Sequence, residues 1–190
     1  MALVASEVDV AITGEMFSAP VGTTAPTNAS APLDPAFIGH GYCSEDGVTE
    51  AWEDNVENIV AWQNATVVRA ARTESLVTFQ TTLIQNRGSN LELYHPGSTM
   101  ETDGGSGWML EVKPANSDPR SFVINVVDGN TLMRFYLGNA EVTERGEIQY
   151  ANGQAIGYQV TITAYPDADG NLMVKYSTDA AWGTDIAGGS

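Results

Sequence analysis

The sequence predicts a mainly β protein, an all-β sandwich or barrel with one short α-helix, on three observations. From Gly107 onward, short runs of β-branched and aromatic residues, "WMLEVK", "SFVINVV", "TLMRFYL", "AEVTE", "YQVTITAY" and "LMVKYS", follow one another as strands do. Glycine-bearing turn sequences separate them, "DGN" from Asp128 and "DADGN" from Asp167, where Gly supplies a positive φ. Only one segment carries a helix start. The chain has 190 residues, 43% of them hydrophobic, enough apolar material for one sizeable core and hence one domain.

In chain order, Val8, Val10 and Ile12 alternate with Asp9, Ala11 and Thr13, which predicts an N-terminal strand within residues 1–13. Residues 14–36 hold four prolines among Ala, Thr and Ser and read as an extended arm, flexible by itself or ordered on a neighbouring copy. The domain proper is expected over 37–178. In it "FIGHGYC" and "VTEAW" read as short strands, with Asp46-Gly47 as a turn between them. The segment from about 44 to 64 is expected to be an interface loop; Trp52, Val56, Ile59 and Val60 also share one side of a helical wheel, so a turn or two of helix competes there with an extended chain. In "SLVTFQTTLIQN" Val77, Phe79 and Leu83 fall on one face and Thr78, Gln80 and Thr82 on the other. Ser89-Asn90-Leu91-Glu92 reads as a capping box opening a helix at about 88–95, with Leu91 and Tyr94 toward the sheet and Pro96-Gly97 ending it. Residues 179–190 read as a flexible tail that Trp182 could pin.

The 24 acids outnumber the 8 basic residues, giving a net charge of −16, so no stable adhesion to nucleic acid is expected, for want of cations to neutralise phosphates. A negative field still suits a surface that DNA passes without sticking. The single Cys43 rules out an internal disulfide framework and fits folding in a reducing cytoplasm. The first fifteen residues show neither a basic n-region nor an unbroken apolar stretch, so a soluble, unexported chain with no membrane partner is expected.

Catalytic and metal patterns are weak. His40 lies near Cys43 and His95 is distant, with no spacing that supports a nucleophilic pair or a zinc site. The Asp167–Asn171 stretch imitates the opening of a calcium loop, but Thr178 stands where a bidentate glutamate is needed. The sequons at Asn28 and Asn64 have no use in an unexported chain, and "GGSG" from Gly104 lacks the lysine of a phosphate loop. No cofactor and no enzymatic activity are expected. More informative is Asp46–Ser75, where five acids and two tryptophans precede the first pair of arginines; the acids suit a solvated face, while the large apolar residues seek a partner.

Here the chain resembles a known family. The order "GHGYCSEDGVTEAWEDNVENIVAWQNATVVRAARTESLVTFQTTLIQN", then "LELYHPG", then a β-rich second half is similar to the major tail tube proteins of bacteriophages with long, non-contractile tails, especially those of actinobacteria. The resemblance spans about Ala11 to Tyr176 and is specific as an ordered whole. It implies a fold of two packed antiparallel sheets with a flanking helix, and hexameric rings that stack around a channel for the genome. It implies as partners the chain itself, a tape-measure protein, tail-terminator and tail-tip proteins, and DNA in transit, in a virion tail assembled in the host cytoplasm. It carries over no catalytic residue and no cofactor. On this reading Pro20, Pro26 and Pro32 of the arm and Trp52, Val56, Ile59 and Trp62 are the expected contacts between copies, and Glu141, Glu144 and Glu147 the expected lumenal or exposed acidic surface. The alternative from another class is a monomeric β-sandwich binding carbohydrate, through Trp52, Trp62 or Trp108, or protein; an acid-rich hydrolase ranks below it.

Overall fold

The fold is that of a computed structural model, which describes residues 7–184, the side chains of Thr73 and Thr184 excepted. Ten strands and two short helices follow in the order β1 (Thr13–Pro20), β2 (Ile38–Gly39), β3 (Cys43–Val60), β4 (Val67–Leu83), α1 (Gly88–Tyr94), β5 (Met100–Thr102), β6 (Trp108–Leu110), β7 (Arg120–Asp128), β8 (Thr131–Arg145), β9 (Tyr158–Tyr165), β10 (Val174–Ser177) and α2 (Ala181–Thr184).

Eight of the strands form one antiparallel sheet in the order β2-β1-β7-β8-β9-β4-β3, with β10 also pairing with β8; β5 and β6 make a small second sheet. The long β8 is the hinge of the architecture. Met133–Tyr136 pair with both β7 and β10, whereas Asn139–Arg145 pair with β9, and irregularities at Arg120/Phe122 and Val142/Glu144 accompany the change of partner. The large sheet therefore folds over at β8, and its two halves supply the opposing walls of one core. Met16, Phe122 and Ile124 come from one half, Val77, Phe79, Leu83, Val160 and Ile162 from the other, and Leu93 and Tyr94 of α1 close one side. This is the mainly β, layered fold the sequence predicts, with the two packed layers made continuous by β8.

A second apolar cluster covers the opposite face of β1, β7, β8 and β10, where Ala19, Val123 and Tyr136 meet Phe37 and Leu33. That burial on both faces explains why β7 reads as an apolar run, interrupted only by Asn125, with little alternation. The cover is the proline-rich segment, which differs from the expected arm. Residues 14–20 belong to β1, in full register with β7. Residues 21–37 are a strap tied down by Arg134, whose guanidinium donates to the carbonyls of Asn28 (3.1 Å) and Ala31 (2.7 Å), and by the Tyr176 hydroxyl, which donates to the Pro26 carbonyl (2.9 Å). Asn28 shapes its turn by accepting from the Ser30 and Ala31 amides. A polar segment is held here by hydrogen bonds from a neighbouring sheet, a tertiary effect that composition does not carry.

Four other expectations change. Within the expected strand 1–13, residues 1–6 lie outside the described residues and Glu7–Ile12 form no strand; Val10 and Ile12 amides donate to Asp128 and Val127, but Val8, Val10 and Ile12 stay exposed for lack of an opposing layer. The 44–64 loop is mostly strand, because its partner β4 pairs with it over nearly its whole length. The helix at 88–95 forms as Gly88–Tyr94, but its N-cap is Arg87 with no side-chain cap; Glu92 instead accepts from the Met100 amide (2.7 Å) and ties α1 to β5. Leu93 and Tyr94 are its buried apolar residues, and Leu91 packs at the margin of the core. Of the expected tail, Ala181–Thr184 form α2 and 185–190 lie outside the described residues.

Candidate assembly interface

β3 and β4 are far longer than the strands they accompany. β4 pairs with β9 only along Val77–Leu83, so Glu53–Val60 and Val67–Leu76 project from the sheet as a two-stranded arm about 25 Å long at ~3.3 Å per residue. Isolated two-stranded ribbons are marginal in water. β4 bulges twice along the arm, leaving Thr73 and Val68 without a facing residue, and the tip turns through Asn64 and Ala65, both left-handed at φ 61° and 48°.

Alternation along β3 sorts the arm into two faces. Trp52 sits opposite the fully buried Val77, so Trp52, Val56 and Val60 continue the core-side face beyond the core. All three are about half exposed, and Trp62 at the tip is 97% exposed. The root of this face is fixed: Glu50 accepts from Trp52 Nε1 (2.7 Å) and from Lys175 Nζ (2.8 and 2.9 Å), and Lys175 lies over the Phe135 ring. Farther out, Arg72 pairs with Asp54 at 3.6 Å. Ile59, expected beside Val56, falls on the other face, because the segment is strand and residues three apart point oppositely.

That other face is acidic and hydroxyl-rich. Glu53, Asn55 and Glu57 continue a surface made of Thr49 and Ala51 on β3, Thr78 and Gln80 on β4, Thr161 and Thr163 on β9, and Thr143 and Glu144 on β8. A shallow groove of about 330 Å³ there brings Glu53 within the same lining as Glu144. Of the expected acids, Glu144 lies on this face; Glu141 faces the same way but is half-buried, accepting from the Ser117 hydroxyl (2.8 Å); Glu147 is exposed beyond the end of β8. Burial, followed by Glu141, raises the Tyr165 phenol pKa. Glu53 and Glu57 were legible only as solvated acids, since their alignment with β9 depends on a pairing between distant segments.

Of the arm prolines, Pro20 and Pro32 are exposed and Pro26 is buried under its own chain. The three tryptophans of the carbohydrate reading are spread over the root of the arm, its tip and β6.

The sequence also missed a buried polar relay. His40 Nδ1 is 2.7 Å from Asn90 Oδ1 and Nε2 is 2.8 Å from Ser18 Oγ, the connectivity of a nucleophile, base and orienting amide. Ser18, His40 and Asn90 are all buried, at most 2% exposed, so no substrate reaches the serine. The relay joins β1, β2 and α1. Burial pushes the His40 pKa down to about 4. Asp167 is likewise structural: its Oδ1 accepts from the Asp169 and Asn171 amides and shapes the turn in which Gly170 has φ 83°. Among the described residues no three His, Cys, Asp or Glu side chains gather as metal ligands, and no helix is long and apolar enough to cross a membrane.

Among solved structures the chain is similar to one from the virion of a native gene transfer agent particle, with 7% identity over 77% of this chain and 92% of that one and a TM-score of 0.39. No curated protein matches it. The family described as phage tail tube protein matches residues 1–185, essentially the whole chain, and the protein belongs to that family of structural virion components.

Proposed function

We propose that copies of this tail tube protein join side by side into hexameric rings and that the rings stack into the conduit of a long, non-contractile tail. The observation that carries this reading is the β3–β4 arm, whose core-side face carries Trp52, Val56 and Val60 past the core, with the Asp54–Arg72 pair between them and no layer of the described residues over it. A second copy offers the missing layer.

Strand directions support a specific joint. β3, β4, β9 and the second part of β8 form a four-stranded antiparallel panel. β3 is the last strand on one side, and on the other side β7 stops pairing with β8 at Ala140, leaving the far edge of Glu141–Arg145 open. With an even number of strands, the β3 edge of one copy meets the β8 edge of the next in antiparallel sense. Repetition continues one sheet, a heterologous contact that closes when the rotation permits. The number six rests on the family resemblance. The panel's Thr- and Glu-rich face then lines the lumen, where Glu53, Glu57 and Glu144 repel DNA in transit. The exposed Trp62 tip and Pro20 and Pro32 are left as contacts between rings. Length control by a tape-measure protein, closure by terminator and tip proteins, and assembly in the host cytoplasm complete the reading.

Negative-stain microscopy of the purified chain, fresh and after concentration, tests it: tubes of uniform bore are expected. A Trp52→Ser/Val56→Ser double variant is expected to keep its circular dichroism and form none. A persistent monomer at every concentration, or tubes from the double variant equal to wild type, would remove the arm from the interface.

A further inference from the structure

The buried relay sits at a corner that the assembly reading does not use. β2 contributes two residues to the sheet, the chain then turns through Gly41 at φ 77°, and α1 begins at Gly88 on the far side of His40. Asn90 binds this corner together, since its Nδ2 donates to the carbonyls of His40 (2.9 Å) and Gln85 (2.7 Å).

Those two bonds fix the proton. With both Nδ2 hydrogens donated, Asn90 Oδ1 is an acceptor, so His40 Nδ1 carries hydrogen and donates to it. In neutral imidazole Nε2 is then the acceptor, and the Ser18 hydroxyl donates to it. A proton added at Nε2 displaces the serine's and creates a cation on a side chain that is fully buried. The charges acting on His40 are Arg87, ahead of α1, and Arg120, at the start of β7, and both oppose a further positive charge. Ser18 and Asn90, from β1 and α1, bring none, and Glu15 lines the groove next door rather than the relay. That groove, of about 460 Å³ between Thr13–Phe17 and Gly39, Gly41, Tyr42 and Arg87, reaches the corner from solvent.

We propose that the Ser18–His40–Asn90 relay is an acid-release latch: protonation of His40 frees the β2 turn and the start of α1 from β1 while the β4–β9 core stays folded. The corner carries Ile38 and Tyr42, exposed apolar side chains, on its outside. Release would therefore loosen a defined piece of outer surface at acid pH.

Residue-resolved amide hydrogen exchange of the full chain, corrected for the intrinsic effect of pH, tests this. Between about pH 7 and about pH 5, opening at residues 38–42 and 87–91 is expected to increase about twentyfold relative to Val160 and Ile162, given a histidine whose pKa moves from about 4 when latched to 6.5 when free. A His40→Gln variant is expected to open more readily at neutral pH and to lose that acid response. Should it fail to fold, ¹³C NMR of the wild-type His40 ring decides. A ring that titrates near its ordinary value while the corner stays closed overturns the latch, as does an equal acid response at Val160 and Ile162 or an unchanged one in His40→Gln.

Discussion

At the residue scale, two buried polar side chains show how this protein holds segments that contribute little apolar area. Arg134 is 5% exposed and donates to Asn125 Oδ1 (2.9 Å) as well as to the two strap carbonyls; burial lowers its pKa. Replacing it by methionine keeps much of the volume and leaves three acceptors without a donor, so a loss of about 2–4 kcal/mol is expected in urea unfolding. Protection of amides 26–31 should fall first; a variant within ~0.5 kcal/mol of wild type would show that the strap holds itself. His40 makes a pH-dependent contribution of the opposite kind. Its folded pKa is depressed, so the unfolded chain binds the extra proton more readily. Its neutral form supports folding fully above pH 6.5; that support is lost as pH falls toward about 4, a change on the order of 3 kcal/mol. Gly41 shows a steric limit, since at φ 77° a Cβ would land on the Gln85 side-chain oxygen that accepts from the Tyr42 amide. Both histidine and glycine were visible in the sequence only as residue types.

At the element scale, the arm is the least self-supported part of the fold. Its tip places Ala65 at φ 48°, a conformation that costs alanine about 1 kcal/mol and glycine almost nothing. Ala65→Gly is therefore expected to firm the hairpin and lower the concentration at which tubes appear by a few-fold, read by light scattering. An unchanged or higher threshold would show that tip strain is not limiting. Alternation over "SLVTFQTTLIQN" and "YQVTITAY" revealed β4 and β9 because one face of each is buried. The same rule was ambiguous for Trp52–Val60, where acids and aliphatics satisfy a helical wheel as well as a strand. Pairing with β4, from Trp52 with Val77 to Val60 with Val67, decided the matter. Likewise the capping box at Ser89 was a sound local signal, overridden when Glu92 found the Met100 amide.

At the scale of the whole molecule, charge sets the conditions of assembly. Each copy carries −16, so copies meeting edge to edge repel, and added salt screens that repulsion within about 10 Å at 0.1 M. Tube formation is expected to need less protein as sodium chloride rises from about 50 to about 500 mM; a threshold rising with salt would show that ion pairs dominate the contact. Replacing Glu53, Glu57 and Glu144 by lysine is expected to leave the monomer's melting temperature within a few degrees and to make tubes retain duplex DNA at low salt. If the altered tubes release DNA as wild type does, those acids do not line the passage.

The sequence by itself determined the class of fold, most strand positions, the short helix and the strongly acidic balance of the chain, because alternation, turn chemistry and net charge are local or summed properties. It also marked Trp52–Trp62 as wanting a partner. Only the tertiary structure decided which face each acid joins, that the proline-rich strap lies on its own sheet, and that Ser18, His40 and Asn90 meet. Those facts depend on β-strand register and on contacts between residues as far as 150 apart in the chain, as Pro26 and Tyr176 are, and no local pattern encodes them.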